Sequence, residues 1–192
     1  HIGKLVLTNH AEDLRIAVPM AKPVQIRSDS SYLITGGLGG LGLHVAQWLC
    51  EQGAGQVVLM SRTTHPTAKQ RASVEQMSQT GCRVHVVSCD VADRAGVDGA
   101  LQDIRASGLP LRGVIHAAGE LDDGVLRKLT PERFERVMHA KIDGAWVLHE
   151  LTQATPLDFF VMYGSAAGLL GSPGQANYAA AKLGMVALSK SV

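Results

Sequence analysis

The chain carries almost no net charge and no run of one sign. Over 192 residues, 18 Lys and Arg face 17 Asp and Glu, giving a formal charge of +1. This argues against nucleic acid or an anionic membrane surface as a partner. Long apolar runs are also missing, so no segment reads as a membrane span. Residues 1–30 lack the continuous apolar core of a signal peptide. Cysteine is scarce: Cys50, Cys82 and Cys89 are odd in number and lack metal-site spacing. They read as reduced, buried thiols of a cytoplasmic chain. No Met opens the sequence, and Val192 falls inside an apparent helix, so the chain reads as a piece of something longer.

What is present is an alternation of strands and helices. Lys4–Thr8 and Leu14–Val18 read as two short strands, and Pro19 to Ser30 as a polar linker. From there, short apolar strands are expected at Tyr32–Thr35, Val57–Met60, Arg83–Val87, Val114–Ala117 and Leu157–Met162. Helices are expected at Leu41–Gln52, Thr67–Gln79, Asp93–Ser107 (capped by Asp90 or Asp93), Glu132–Gln153 and Gln175–Val192. Five strands alternating with helices predict an α/β fold of the Rossmann-like, doubly wound kind, with a parallel sheet covered on both faces. Its ligands bind beyond the carboxyl ends of the strands.

The most informative residues are Tyr178 and Lys182, four apart, with Ser165 thirteen before the tyrosine. On a helix the first two share a face, one turn apart. An ammonium beside a phenol favours phenolate, so such a tyrosine can exchange a proton near neutral pH. Ser165 supplies a hydroxyl to hold a carbonyl oxygen. The set suits reduction of a ketone, provided a hydride donor sits nearby.

The donor's site is legible at the first strand. Thr35-Gly36-Gly37-Leu38-Gly39-Gly40-Leu41-Gly42 satisfies G-x-G-x-x-G between a strand and a helix. Its glycines allow close approach to a pyrophosphate, and the helix start offers free N–H groups. After the second strand, where NAD sites carry an acidic residue, this chain has Ser61-Arg62. Arg62 is either a partner for a 2′-phosphate, which favours NADPH, or a solvated surface arginine. Asp90-Val91 after the third strand either meets the adenine or, through Asp90, caps the next helix. His116 precedes Ala117-Ala118-Gly119, where small residues leave room for a nicotinamide ribose.

Together these motifs resemble the short-chain dehydrogenase/reductase superfamily, and within it the ketoreductase domain of polyketide synthases and animal-type fatty acid synthases. The likeness runs over about residues 28–182 and includes Lys141-Ile142-Asp143-Gly144 and Tyr163-Gly164-Ser165. It implies that NADPH reduces the β-ketone of an acyl chain held by phosphopantetheine on an acyl carrier protein, among neighbouring synthase domains. Tyr178 donates the proton and Ser165 holds the oxygen; Lys141 and Tyr178 also touch the cofactor. Leu121-Asp122-Asp123, Pro173 and Asn177 resemble the B-type signals, which implies a D-configured hydroxyl, with Asp123, Pro173 and Asn177 as stereocontrol residues. The resemblance further implies that residues 1–27 are the tail of an upstream domain plus a linker. Residues 28–192 would form a ketoreductase domain lacking its last strands and substrate lid.

One position departs from the pattern. Synthase ketoreductases usually carry asparagine four residues after the tyrosine and their lysine on the preceding helix. Free-standing reductases do the reverse. This chain has lysine at both places, Lys141 and Lys182. Two ammonium groups near one phenol repel each other, so one is expected to supply the working charge while the other is neutral or turned away. A free-standing reductase of small ketones and a nonreactive nucleotide-binding domain remain as alternatives.

Overall fold

The computed structural model describes residues 24–191. The two strands expected at Lys4–Thr8 and Leu14–Val18 lie outside the described residues. The remaining elements are β1 (Ser31–Thr35), α1 (Gly40–Glu51), β2 (Gln56–Ser61), α2 (Ala68–Ser78), β3 (Arg83–Ser88), α3 (Arg94–Ala106) and β4 (Leu111–His116). They continue with a 3-10 turn at Leu126–Lys128, α4 (Pro131–Met138), α5 (Gly144–Thr152), β5 (Phe159–Met162), α6 (Ala166–Leu170) and α7 (Ala176–Ser189).

All strand pairs are parallel, in the order β3-β2-β1-β4-β5. The alternation of side chains along β1 explains the two layers. Tyr32 and Ile34 point into one core with Leu49 of α1 and Met77 of α2. Leu33 points into the other with Val97, Leu101 and Ile104 of α3 and Leu148 of α5. Burying each of these large side chains contributes about 1.5–3 kcal/mol, so β1 is fixed from both faces. The chain leaves β1 toward β2 and β3 on one side and reaches β4 and β5 on the other. This makes the crevice above β1 and β4 the switch point where ligands bind.

Two features differ from the sequence expectation. The helix expected at Glu132–Gln153 is continuous in path but interrupted by a π turn at His139–Asp143, in which the Gly144 N–H reaches the His139 carbonyl. Such turns occur mostly as local bulges at functional sites, and Lys141 sits inside this one. The short helix α6 after Ser165 was not expected. Of the two candidate caps for α3, Asp93 is the one used, accepting from the Ala95 N–H at 3.1 Å.

Candidate active site

A cleft of about 610 Å³ opens at the switch point, lined by residues from the ends of β1, β2, β3 and β4. Thr35, Leu38, Gly39, Ser61, Arg62, Asp90, Val91, Ala117, Ala118 and Gly119, all expected from sequence, line it. Gly37, Gly40 and Leu41 do not, nor do Lys141 and Tyr178. The Gly37 N–H donates to the Met60 carbonyl at 3.0 Å. A Cβ at Gly37 would lie 2.7 Å from Leu59 Cα, so this glycine permits close packing of the turn on β2. The turn itself is made by Gly36, whose φ of 65° is left-handed. No side chain caps α1 and its first turn carries no acidic residue. Gly40 at its start has open space around it. An uncapped helix start opening on a cleft suits an anionic pyrophosphate.

Sequence reasoning missed Gln70, which lines the cleft, and Glu120, which pairs with the lining residue Arg62. Gln70 lies in the first turn of α2, where Thr67 and Gln70 form a capping box. Its side-chain amide also donates to the Leu38 carbonyl at 2.8 Å, tying α2 to the glycine turn. The Thr67-x-x-Gln70 spacing was the available signal. Glu120 forms an ion pair with Arg62 at 3.0 Å; nothing in the sequence joins residues so far apart. Asp90 lines the cleft while its carboxylate accepts from the Ala92 N–H at 3.0 Å in a local turn.

His116 binds the switch point together. Its ring lies 2.7 Å from the Thr35 hydroxyl through Nδ1 and 3.1 Å from the Lys141 carbonyl through Nε2. A carbonyl can only accept, so Nε2 carries the hydrogen and Nδ1 accepts from Thr35. Thr35 Oγ1 in turn accepts from the Ala118 N–H at 3.3 Å. Burial pushes the His116 ring down to about 4, helped by the Lys182 and Lys141 charges. Between its ordinary value of about 6.5 and that value, the unfolded chain binds a proton that the folded chain refuses. Stability therefore falls as pH drops through this window. His116→Asn is expected to flatten that fall, as read from urea midpoints at about pH 7 and about pH 5. An unchanged slope would assign the acid sensitivity elsewhere.

Tyr178 lies in the first turn of α7. Lys141 and Lys182 both approach its ring, with Nζ 5.2 Å and 5.6 Å from the centroid, within cation–π range. Neither lysine is turned away. Lys141 is 2% exposed and Lys182 8%. Each ammonium is anchored on a backbone carbonyl, Lys141 on Glu120 at 2.9 Å and Lys182 on Tyr163. Burial pushes Lys141 down to about 8; the Lys182 charge adds to this and Glu120 opposes it. Burial also lowers Lys182. A Cβ on Gly119 would lie 2.4 Å from Lys141 Nζ, so the ammonium lies against the cleft wall. Among the described residues the Tyr178 hydroxyl has no hydrogen-bond partner and is free for an incoming group. Ser165 caps α6, its Oγ accepting from the Ala167 N–H at 3.2 Å; α6 packs on α7.

The remaining expected residues surround the start of α7. Asp123 is exposed and accepts from the Gln175 side chain at 2.9 Å. Pro173 is exposed. Asn177 is fully buried, with its amide donated to the Asp122 carbonyl at 2.8 Å.

Residues 30–191 match the family model described as the KR domain. The chain belongs to the KR domain family. Its relatives are synthases of polyketide type. The KR domain is 40% identical to lovastatin diketide synthase of Aspergillus terreus over 94% of its own length and 7% of that protein. It is 44% identical to a mycocerosic acid synthase-like polyketide synthase of Mycobacterium tuberculosis, covering 94% of itself and 9% of that protein. The chain thus spans less than a tenth of the length of these curated relatives. A solved structure of A-type ketoreductases from a modular polyketide synthase superposes with a TM-score of 0.81 at 39% identity, covering 92% of this chain and 37% of that one. Within the described residues, no helix of this KR domain is long and apolar enough to cross a membrane.

Proposed function

We propose that this KR domain reduces the β-keto group of an acyl chain, carried by phosphopantetheine on an acyl carrier protein, to a D-configured β-hydroxyacyl product with NADPH. The observation that carries the proposal is Tyr178, whose hydroxyl has no partner among the described residues, beside two buried lysines. One of these lies against the wall of a cleft shaped for a dinucleotide.

NADPH, when bound, supplies the hydride. The glycine turn and the start of α1 would hold its pyrophosphate, Arg62 its 2′-phosphate, Asp90 and Val91 its adenine, and Ala117 to Gly119 its ribose and nicotinamide. Ser165 donates its hydroxyl hydrogen to the ketone oxygen. Tyr178 gives that oxygen a proton as negative charge builds there. The Lys141 and Lys182 ammonium groups steady the phenolate that Tyr178 leaves behind. Burial strengthens that help, because little water screens the charges. The D configuration rests on the likeness of Leu121 to Asp123, Pro173 and Asn177 to B-type signals. The A-type structure above is a similar fold of the other class, so product analysis decides this point.

The test offers the full chain NADPH with a carrier-bound β-ketoacyl substrate or a free small ketone. The carrier-bound substrate is expected to win in kcat/KM by at least about tenfold, since binding energy remote from the ketone is used at the reacting centre. Equal turnover of the free ketone would instead support a free-standing type of reductase, which the burial of Lys182 against Tyr178 favours. NADPH binding without any reduction would leave a nonreactive domain.

Cofactor choice has its own prediction. Arg62 is 56% exposed along its side chain and paired with Glu120, an interaction worth only about 0–1 kcal/mol. A phosphate dianion should displace Glu120 readily. Arg62→Ala is expected to weaken NADPH binding by about tenfold or more, the value of a charge-assisted hydrogen bond, and to leave NADH binding unchanged. Fluorescence titration of both cofactors checks it; equal loss for both would remove Arg62 from phosphate recognition.

A further inference from the structure

The segment Glu120–Gly124 leaves the end of β4 and is held on two sides. On the α7 side, Gly124 N–H donates to the Gly174 carbonyl at 2.7 Å, Gln175 reaches Asp123, and Asn177 reaches the Asp122 carbonyl. On the other side stands Arg133 of α4. Its Nε donates to Asp122 Oδ1 at 2.9 Å. One Nη donates to the same carboxylate and to the Asp123 carbonyl at 2.8 Å. The other reaches the Lys128 carbonyl at 3.1 Å. A single guanidinium thus holds the loop by side chain and backbone at once. At the loop's start, the Glu120 carbonyl anchors the Lys141 ammonium.

We infer that Arg133 is a positioning residue for ketone reduction. By fixing Glu120–Gly124 between α4 and the start of α7, it sets where Lys141 stands relative to Tyr178. The inference rests on the reductase reading. Arg133 lies outside the dinucleotide cleft and acts through the loop. Its planar fork serves several acceptors at fixed angles, which a lysine cannot reproduce. The role differs from simple stabilisation because Asp122 has a second partner: Arg136 donates to its other oxygen at 3.1 Å. Loss of Arg133 therefore leaves no orphaned charge, and the chain should still fold. Gly124 supplies an independent handle. A Cβ there would lie 2.9 Å from an Arg133 Nη, so Gly124→Ala pushes the fork off the loop with Arg133 intact.

The test uses the full chain with Arg133→Gln, Arg133→Lys and Gly124→Ala. Turnover and product enantiomer ratio report catalysis. The titration of Lys141, followed by NMR of labelled lysine side chains, reports the anchor and needs no turnover. Arg133→Gln is expected to shift the Lys141 titration and lower kcat by about tenfold or more, because small displacements at a reacting centre are costly. NADP+ affinity should hold within about twofold while this happens. Gly124→Ala should move both readouts the same way, and Arg133→Lys should not rescue them. Unchanged Lys141 titration and kcat in Arg133→Gln would overturn the inference, as would a loss of NADP+ affinity in step with kcat. A wild-type chain that reduces no ketone would sink the reductase reading alone; the Lys141 titration would still decide the positioning claim.

Discussion

Replacing Tyr178 by phenylalanine is expected to lower kcat for ketone reduction by about 10³-fold, within the range for a lost general acid. The ring remains, so the packing of Lys141 and Lys182 against it is kept. Only the hydroxyl is removed, and it has no partner among the described residues, so stability should hardly change. NADPH affinity should stay within about threefold, because Tyr178 is not among the residues that line the cleft. Steady-state kinetics together with cofactor titration check this. A variant retaining more than about a tenth of wild-type kcat would exclude Tyr178 as the proton donor.

The second large effect concerns the lysines. Removing both, as Lys141→Met with Lys182→Met, is expected to lower kcat by about 10²-fold or more, because the phenolate loses both nearby charges. Each single variant should lose less, since the other ammonium remains within 6 Å of the ring. Lys182→Asn, which restores the usual synthase pattern, should keep substantial activity.

The pH profile separates the two lysines. Lys141 stands at about 8, held down partly by Lys182. Its charge, and the activity that depends on it, should fall as pH rises through that value. Without Lys182 the repulsion is gone, Lys141 keeps its proton to higher pH, and the alkaline limb moves upward. For stability the sign is opposite. Between about 8 and the unfolded value near 10.4 the unfolded chain binds the extra proton, so folding gains as pH rises. If the double variant keeps wild-type turnover, the two lysines do not serve the proton donor. If the alkaline limb stays put in Lys182→Asn, the two ammonium groups do not interact.

Much of this was legible in the chain. The central strands β1, β2 and β4 could be read because short apolar runs buried on both faces leave little else for such segments to be. The edge strands β3 and β5 carry no fully buried residue, so the sheet is not covered on both faces at its edges. The glycine turn could be read because its residues are local in sequence and demanded by backbone geometry. Tyr178 and Lys182 share a helix, so their meeting follows from spacing alone. Lys141 came from resemblance, and only tertiary structure brings its ammonium to the same ring. The π turn at His139–Asp143 has no breaker residue to mark it, and α6 is too short for a periodic signal. The Arg62–Glu120 pair and the hold of Arg133 on the Asp122 loop join residues through space. Composition and spacing cannot announce such contacts.

The π turn has a consequence for how this helix can change. It adds one residue to a regular winding, and each residue of an α-helix turns the face by about 100°. Rewinding His139–Asp143 as regular α-helix with every residue kept would swing everything before it by about that angle relative to Lys141. Arg133 would then leave Asp122 while Lys141 stayed with Glu120. The irregularity persists because two side chains on either side of it must address one loop, and a perfect helix could serve only one of them.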